Sequence, residues 1–222
     1  MRRILLAGTA LTLTLTSIVP STGLAAVRPG VELGVNVSSL SFDDPDIFPL
    51  VYWDTSWRPS FTGGLSLEVP FQGRWSLHTG LRYVQQGNRV EFDLGPVSPG
   101  FTGKFRFVQH YVSLPMLLAW RPLPSNRFFI SAGPEFAVLL AAELVTEENS
   151  LAPGTSSRDI KDDLVSTNLS LDAGAGYEFP LANHLGTAEL RYSHGLTGVA
   201  REQQWVSDWK TRGIEALVGV RW

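Results

Sequence analysis

From Gly30 onward, apolar residues repeatedly alternate one by one with polar or small ones over short runs. Successive side chains leave a strand on opposite faces, so a period of two predicts strands with one bulky apolar side and one polar side. Gly30 to Leu40 is the first, with Val31, Leu33, Val35 and Val37 on one face and Glu32, Gly34, Asn36 and Ser38 on the other. Phe61 to Val69 sets Leu65, Leu67 and Val69 against Gly64, Ser66 and Glu68, and stops at Pro70. Trp75 to Gln85 sets Trp75, Leu77, Thr79, Leu81 and Tyr83 against Ser76, His78, Gly80, Arg82 and Val84. Phe105 to Trp120 puts Val112, Leu114, Met116, Leu118 and Trp120 on the apolar side. Its earlier part, through Arg106 and His110, fits either an extension of the strand or a bulge.

The second half repeats the pattern. Phe128 to Ala142 places Phe128, Ile130, Ala132, Phe136, Val138 and Leu140 opposite Phe129, Ser131, Gly133, Glu135 and Ala137, with Pro134 the residue that suits a strand least. Ser166 to Pro180 opposes Leu169, Leu171, Ala173, Ala175, Tyr177 and Phe179 to Ser170, Asp172, Gly174, Gly176 and Glu178. Gly186 to Leu196 opposes Ala188, Leu190 and Tyr192 to Glu189, Arg191 and Ser193. Arg212 to Trp222 closes the series, Ile214, Ala216, Val218, Val220 and Trp222 against Gly213, Glu215, Leu217, Gly219 and Arg221.

The connections between these eight predicted strands alternate in length. Ser41 to Trp57, Gly87 to Lys104, Glu143 to Asp163 and Thr197 to Lys210 are long and aperiodic, the third acidic and Ser-rich. Phe71 to Arg74, Arg121 to Arg127 and Leu181 to Leu185 are short turns. Strict long-short alternation is the plan of an all-β, eight-stranded antiparallel up-and-down transmembrane β-barrel, with long connections extracellular and short turns periplasmic. A soluble barrel shares the strand count but needs a polar exterior and an apolar interior. Here the faces carrying Glu215, Arg221, Arg82 and Asp172 also carry the glycines, so small and ionic residues point inward and bulky ones toward lipid. Trp75, Trp120, Phe128, Phe179 and Trp222 all fall at strand ends beside short turns or at the end of the final strand, where an aromatic girdle belongs.

Composition narrows the reading. Met1 to Ala26 has the basic start, apolar middle and small-residue end of a secretory signal peptide, cleaved after Ala25 or Ala26, although an uncleaved N-terminal anchor is the alternative. This leaves residues 27–222 as one barrel domain. Without Arg2 and Arg3 the rest carries 16 basic and 21 acidic side chains, a formal charge of −5, which makes nucleic acid a poor partner. The chain has no cysteine, and so neither a lipid-anchoring thiol nor a disulfide frame. Beyond the signal no run approaches the ~18 apolar residues of a membrane helix.

Two resemblances go further. The aromatic-ended segment Arg212 to Trp222 resembles the closing strand of bacterial outer-membrane barrels, which implies an assembly signal read by the barrel-assembly machinery. The segments YVSLPMLLAW (Tyr111 to Trp120), FFISAGPEF (Phe128 to Phe136) and LRYSHGLT (Leu190 to Thr197) resemble the PorT-like outer-membrane β-barrel family. That resemblance covers the chain from about Gly30 to Trp222 and implies the barrel and an outer-membrane location. PorT is implicated in protein secretion, a role that motifs of fold do not transfer.

Candidate chemistry is sparse. An eight-stranded lumen is just wide enough to be filled by side chains. Arg82, Glu135, Asp172, Arg191 and Glu215 fall near mid-depth on inward faces, an expected ion network that plugs the barrel, or, alternatively, lines a narrow porin-like channel. Ser193-His194 suggests a lipid-modifying hydrolase, but adjacent strand residues point to opposite faces and no G-x-S-x-G elbow is present. His78 and His110 have no evident serine partner, and the four histidines lack the spacing of a metal site, so no cofactor is expected. Trp53 and Trp57 lie in the first long connection, Trp205 and Trp209 in the fourth. These indoles form either a mutual cap or an exposed aromatic surface for a glycan or protein partner. The expected role is structural or partner-binding, among outer-membrane lipid and with an extracellular or periplasmic protein as the partner class.

Overall fold

The computed structural model describes residues 27–41, 52–71, 73–93, 102–123, 127–148, 154–198 and 210–222. Among them are nine strands: β1 (Arg28–Ser41), β2 (Tyr52–Pro70), β3 (Trp75–Asp93), β4 (Thr102–Trp120), β5 (Phe128–Glu148), β6 (Gly154–Asp159), β7 (Thr167–Leu181), β8 (His184–Gly195) and β9 (Lys210–Arg221). One 3-10 turn, Lys161–Asp163, follows β6. Eight strands form a closed antiparallel barrel in the order β1-β2-β3-β4-β5-β7-β8-β9, and β9 pairs back onto β1. Closure satisfies the backbone of the wall strands on both sides through the height where all eight are present, a requirement wherever no water is at hand.

The alternation read from the chain holds around the ring. Leu65, Leu190 and Val218 are more than 60% exposed, whereas Arg82, Glu68 and Asp172 are at most 1% exposed. In water this would be an inside-out protein. Trp75 stands opposite Trp120 with ring centroids 6.0 Å apart, and Phe128, Phe179 and Trp222 lie at the same short-turn end.

Four of the expected boundaries change. β2 begins at Tyr52, β3 runs on to Asp93, β4 starts at Thr102 and β5 continues to Glu148, so much of the supposed loops is strand. The expected third loop also contains β6, which pairs with the upper half of β5 (Glu143–Glu148), while the lower half (Phe128–Val138) pairs with β7. β5 thus changes partner partway along. The ambiguity at Phe105 to Tyr111 resolves into both alternatives. β4 pairs with β3 in unbroken register from Asp93↔Thr102 to Trp75↔Trp120, so the strand is extended. Against β5 the register slips between His110 and Tyr111, where Leu140 is the extra residue, so the bulge belongs to the partner strand. A second irregularity lies in β2 between Trp57 and Thr62.

These extensions make the wall uneven. β2 to β6 rise well past the ends of β1, β8 and β9 on the long-connection side.

Candidate functional site

The lumen is layered. At mid-depth Arg82 from β3 donates from Nη2 to both carboxylate oxygens of Glu215 on β9, at 3.0 and 2.9 Å. It also lies 3.4 Å from Glu135 on β5 and 3.5 Å from Glu32 on β1. One guanidinium therefore joins four strands across the barrel. Arg191 on β8 donates to both oxygens of Glu189, at 3.3 and 3.2 Å, and approaches Glu215 at 3.9 Å. Asp172 accepts from Ser170 at 3.0 Å.

All five residues expected in a lumen network are therefore inside and buried, and four of them join through ion pairs. Asp172 makes no ion pair among the described residues and is held by a hydroxyl instead. Glu32 and Glu189 belong to the same layer and were overlooked, although their inward parity was legible in the chain.

A second ionic layer lies nearer the short turns. Arg121, just past β4, pairs with Glu68 at 2.7 Å and with Glu178. Arg221 at the end of β9 reaches Glu68 at 2.9 Å and Glu178 at 3.4 Å. Two arginines and two carboxylates thus tie β2, β7 and β9 to the β4–β5 turn. Burial in a low dielectric makes pairing obligatory for such groups. Between the layers lies a cavity of about 10 Å³, lined by Glu32, Ser66, His78, Arg191 and Arg221 among others, room for about one water centre.

The interior is not wholly polar. Phe129 is fully buried, its ring edge-on to His78 at 5.1 Å. A Cβ on Gly176 would sit 2.3 Å from that ring, so the phenyl occupies the space a side chain would need. At the long-connection end Tyr111, Leu139 and Ala142 form an apolar cluster with Ile160 and Leu164, which flank the 3-10 turn. The segment after β6 therefore folds inward over the wall, and its amides bond back to it: the Ile160 N–H donates to the Ala142 carbonyl at 3.0 Å. Ile160 and Leu164 were hidden from sequence reading inside an acidic stretch.

His78 does have a serine partner, contrary to expectation. Ser76 Oγ is 3.3 Å from its Nε2. The pair is no hydrolase centre: both groups are buried, Arg121 already donates to Ser76 at 3.1 Å, and His78 Nδ1 lacks an orienting acceptor among the described residues. His110 bonds instead with the Tyr83 hydroxyl. His194 stacks on Tyr192, its centroid 6.5 Å away, and its neighbour Ser193 lies at the opposite parity. Trp57 and the backbone of Trp53 are part of β2 rather than a loop, and Trp57 is exposed. The Trp53 side chain, Trp205 and Trp209, and the whole of residues 1–26, lie outside the described residues.

Residues 21–201 match the profile of a family described as outer membrane protein beta-barrel domain. Solved structures of similar shape include Ail of Yersinia pestis, 15% identical over 88% of this chain and 98% of that one, with a TM-score of 0.40. OprG of Pseudomonas aeruginosa is 14% identical over 88% and 94%, with a TM-score of 0.43. Neisserial surface protein A is 12% identical over 89% and 99%, with a TM-score of 0.42. No curated protein matches the chain.

Proposed function

Since the chain belongs to the outer membrane protein β-barrel domain family and resides in the bacterial outer membrane, we propose that it is a small non-enzymatic barrel with a structural or partner-binding role. In this reading the lumen is plugged by its own side chains. The observation that carries it is Arg82, almost wholly buried at mid-depth with Glu32, Glu135 and Glu215 around it. A hydrated pore would leave such a group in water, and a small cavity beside the network would hold about a single water. The apolar exterior takes outer-membrane lipid, and Arg212 to Trp222 is the segment the barrel-assembly machinery would read. An extracellular or periplasmic protein is the partner class, with exposed Trp57 the described residue of the proposed aromatic surface. The finer PorT-like assignment rests on the three segments quoted above and brings no activity with it. Residues 1–26 are, in this reading, the export signal.

Planar-bilayer recording on wild type and Arg191→Leu, paired with thermal unfolding in detergent, tests the plug. The wild type should be close to silent and the variant less stable. A large wild-type conductance would overturn the reading in favour of a channel.

A further inference from the structure

The mid-depth layer of the lumen is out of electrical balance. Five carboxyl side chains, Glu32, Glu135, Asp172, Glu189 and Glu215, meet two guanidiniums, Arg82 and Arg191, and none of the seven residues is more than 8% exposed. The layer nearer the short turns shows the ordinary solution, with Arg121 and Arg221 set against Glu68 and Glu178. Arginine does not give up its proton in proteins. Were all five carboxyls ionised, three negative charges would stand uncompensated away from water, where unpaired charge is prohibitively costly.

Geometry identifies the carboxyls that carry the surplus. Arg82 bonds both oxygens of Glu215, and Arg191 bonds both oxygens of Glu189. Glu135 lies 3.4 Å from Arg82, but its Oε2 receives no hydrogen bond among the described residues. Asp172 makes no ion pair among them and meets hydroxyls instead: Ser170 donates to it at 3.0 Å, and Ser193 stands directly opposite. Glu135 is opposite Ser170 and Asp172 is opposite Gly133, so the two carboxyls are diagonal neighbours on the inner face of β5 and β7. Around them stand Glu32 from β1, Arg82 from β3, Glu189 and Arg191 from β8 and Glu215 from β9. His78 of β3 lies a storey below, while β2 and β4 present Gly64 and Pro115 at this height. The small cavity beside the network touches Glu32 and Arg191 but neither Glu135 nor Asp172. A proton is the one cation that needs no room.

We infer that Glu135 and Asp172 form a proton-binding pair that holds the plug together. A carboxyl that keeps its proton donates to a neighbouring carboxylate instead of repelling it. When the protons leave, ionised groups on adjacent strands oppose each other and Glu215, and the seam between β5 and β7 is strained from inside the lumen. The folded barrel thus holds protons that the unfolded chain, with its carboxyls in water, has released at neutral pH. Its stability is therefore greatest in mild acid and falls as pH rises. The pair rests on the plug reading for its place alone, and its test registers protons whether or not the lumen conducts.

The test uses the whole barrel in detergent, as wild type and as E135Q/D172N, in which amides replace the protonated acids at nearly constant shape. Heat-modifiable gel mobility verifies that each variant is folded. Infrared spectra at neutral pH should show a protonated-carboxyl stretch in the wild type that E135Q/D172N lacks. Thermal unfolding is followed from about pH 6 to about pH 10, between the ordinary titrations of carboxyls and lysines. Across that range the wild-type midpoint should fall by on the order of 5 °C relative to the variant. In mild acid the two should match, whereas a purely structural loss would lower the variant at every pH. E178Q, which removes a charge from the balanced layer, should be destabilised throughout with the wild-type slope. Failure of E135Q/D172N to remove a carboxyl band, or equal pH slopes in wild type and variant, would overturn the pair. A last arm exchanges sodium for N-methylglucamine at alkaline pH. A sodium-dependent rise in the wild-type midpoint that E135Q/D172N lacks, without the carboxyl band, would reassign the surplus charge to a bound metal cation and overturn the proton.

Discussion

Arg82 is the side chain on which the lumen turns. It faces three carboxylates and has almost no solvent of its own, so removing it leaves Glu32, Glu135 and Glu215 without their shared cation. Arg82→Leu should cost about 3–5 kcal/mol, seen as a lowered unfolding temperature in detergent. Arg28→Leu is the contrast. Its guanidinium is largely exposed and sits 3.7 Å from Glu68, which Arg121 and Arg221 already hold, so its loss should cost no more than about 1 kcal/mol. Gly176→Val should be worse than its size suggests, because Phe129 fills the space and is itself fully buried. About 1–3 kcal/mol is the expected penalty, measured in the same unfolding assay. The ionic residues were legible in the chain because period two assigns each to a face. Which carboxylate meets which arginine was not, because that depends on register and barrel stagger, which no single strand encodes.

At the scale of elements, the membrane-crossing strands were read correctly and their upward extensions were missed. The reason is physical. Within lipid, outward positions carry no charge and are predominantly apolar, so the alternation is sharp. Above it the same strands carry Arg89, Glu91, Lys104 and Arg106 on their outer face, and a polar outer face erases the contrast that marks a strand. The segment after β6 was missed for a related reason, since two apolar residues among acidic and hydroxylated neighbours look like a loop. Ile160 and Leu164 nevertheless bind it to Tyr111, Leu139 and Ala142. Ile160→Ala with Leu164→Ala should release it without unfolding the wall, each truncation costing about 2–5 kcal/mol locally. Hydrogen exchange should then quicken at the Ile160 amide while the Arg82 and Glu215 amides stay protected, and equal protection throughout would refute the packing role.

For the molecule as a whole, the decisive property is that its surface is matched to hydrocarbon rather than to water. Leu33, Leu65, Leu81, Leu190 and Val218 all face outward and are more than half exposed. The protein should fractionate with outer membranes, require detergent to remain monodisperse, and shift its gel mobility on heating. The pairing of β1 with β9 has a further bearing on biogenesis. Val31 opposite Val220 joins the earliest wall strand to the latest, so throughout synthesis and export the growing chain has two unsatisfied edges that nothing in cis can cover. A truncation just before Lys210, which removes β9, should therefore leave a species cleared by proteolysis rather than a leaky but surviving cylinder, read as loss of the protein from the membrane fraction.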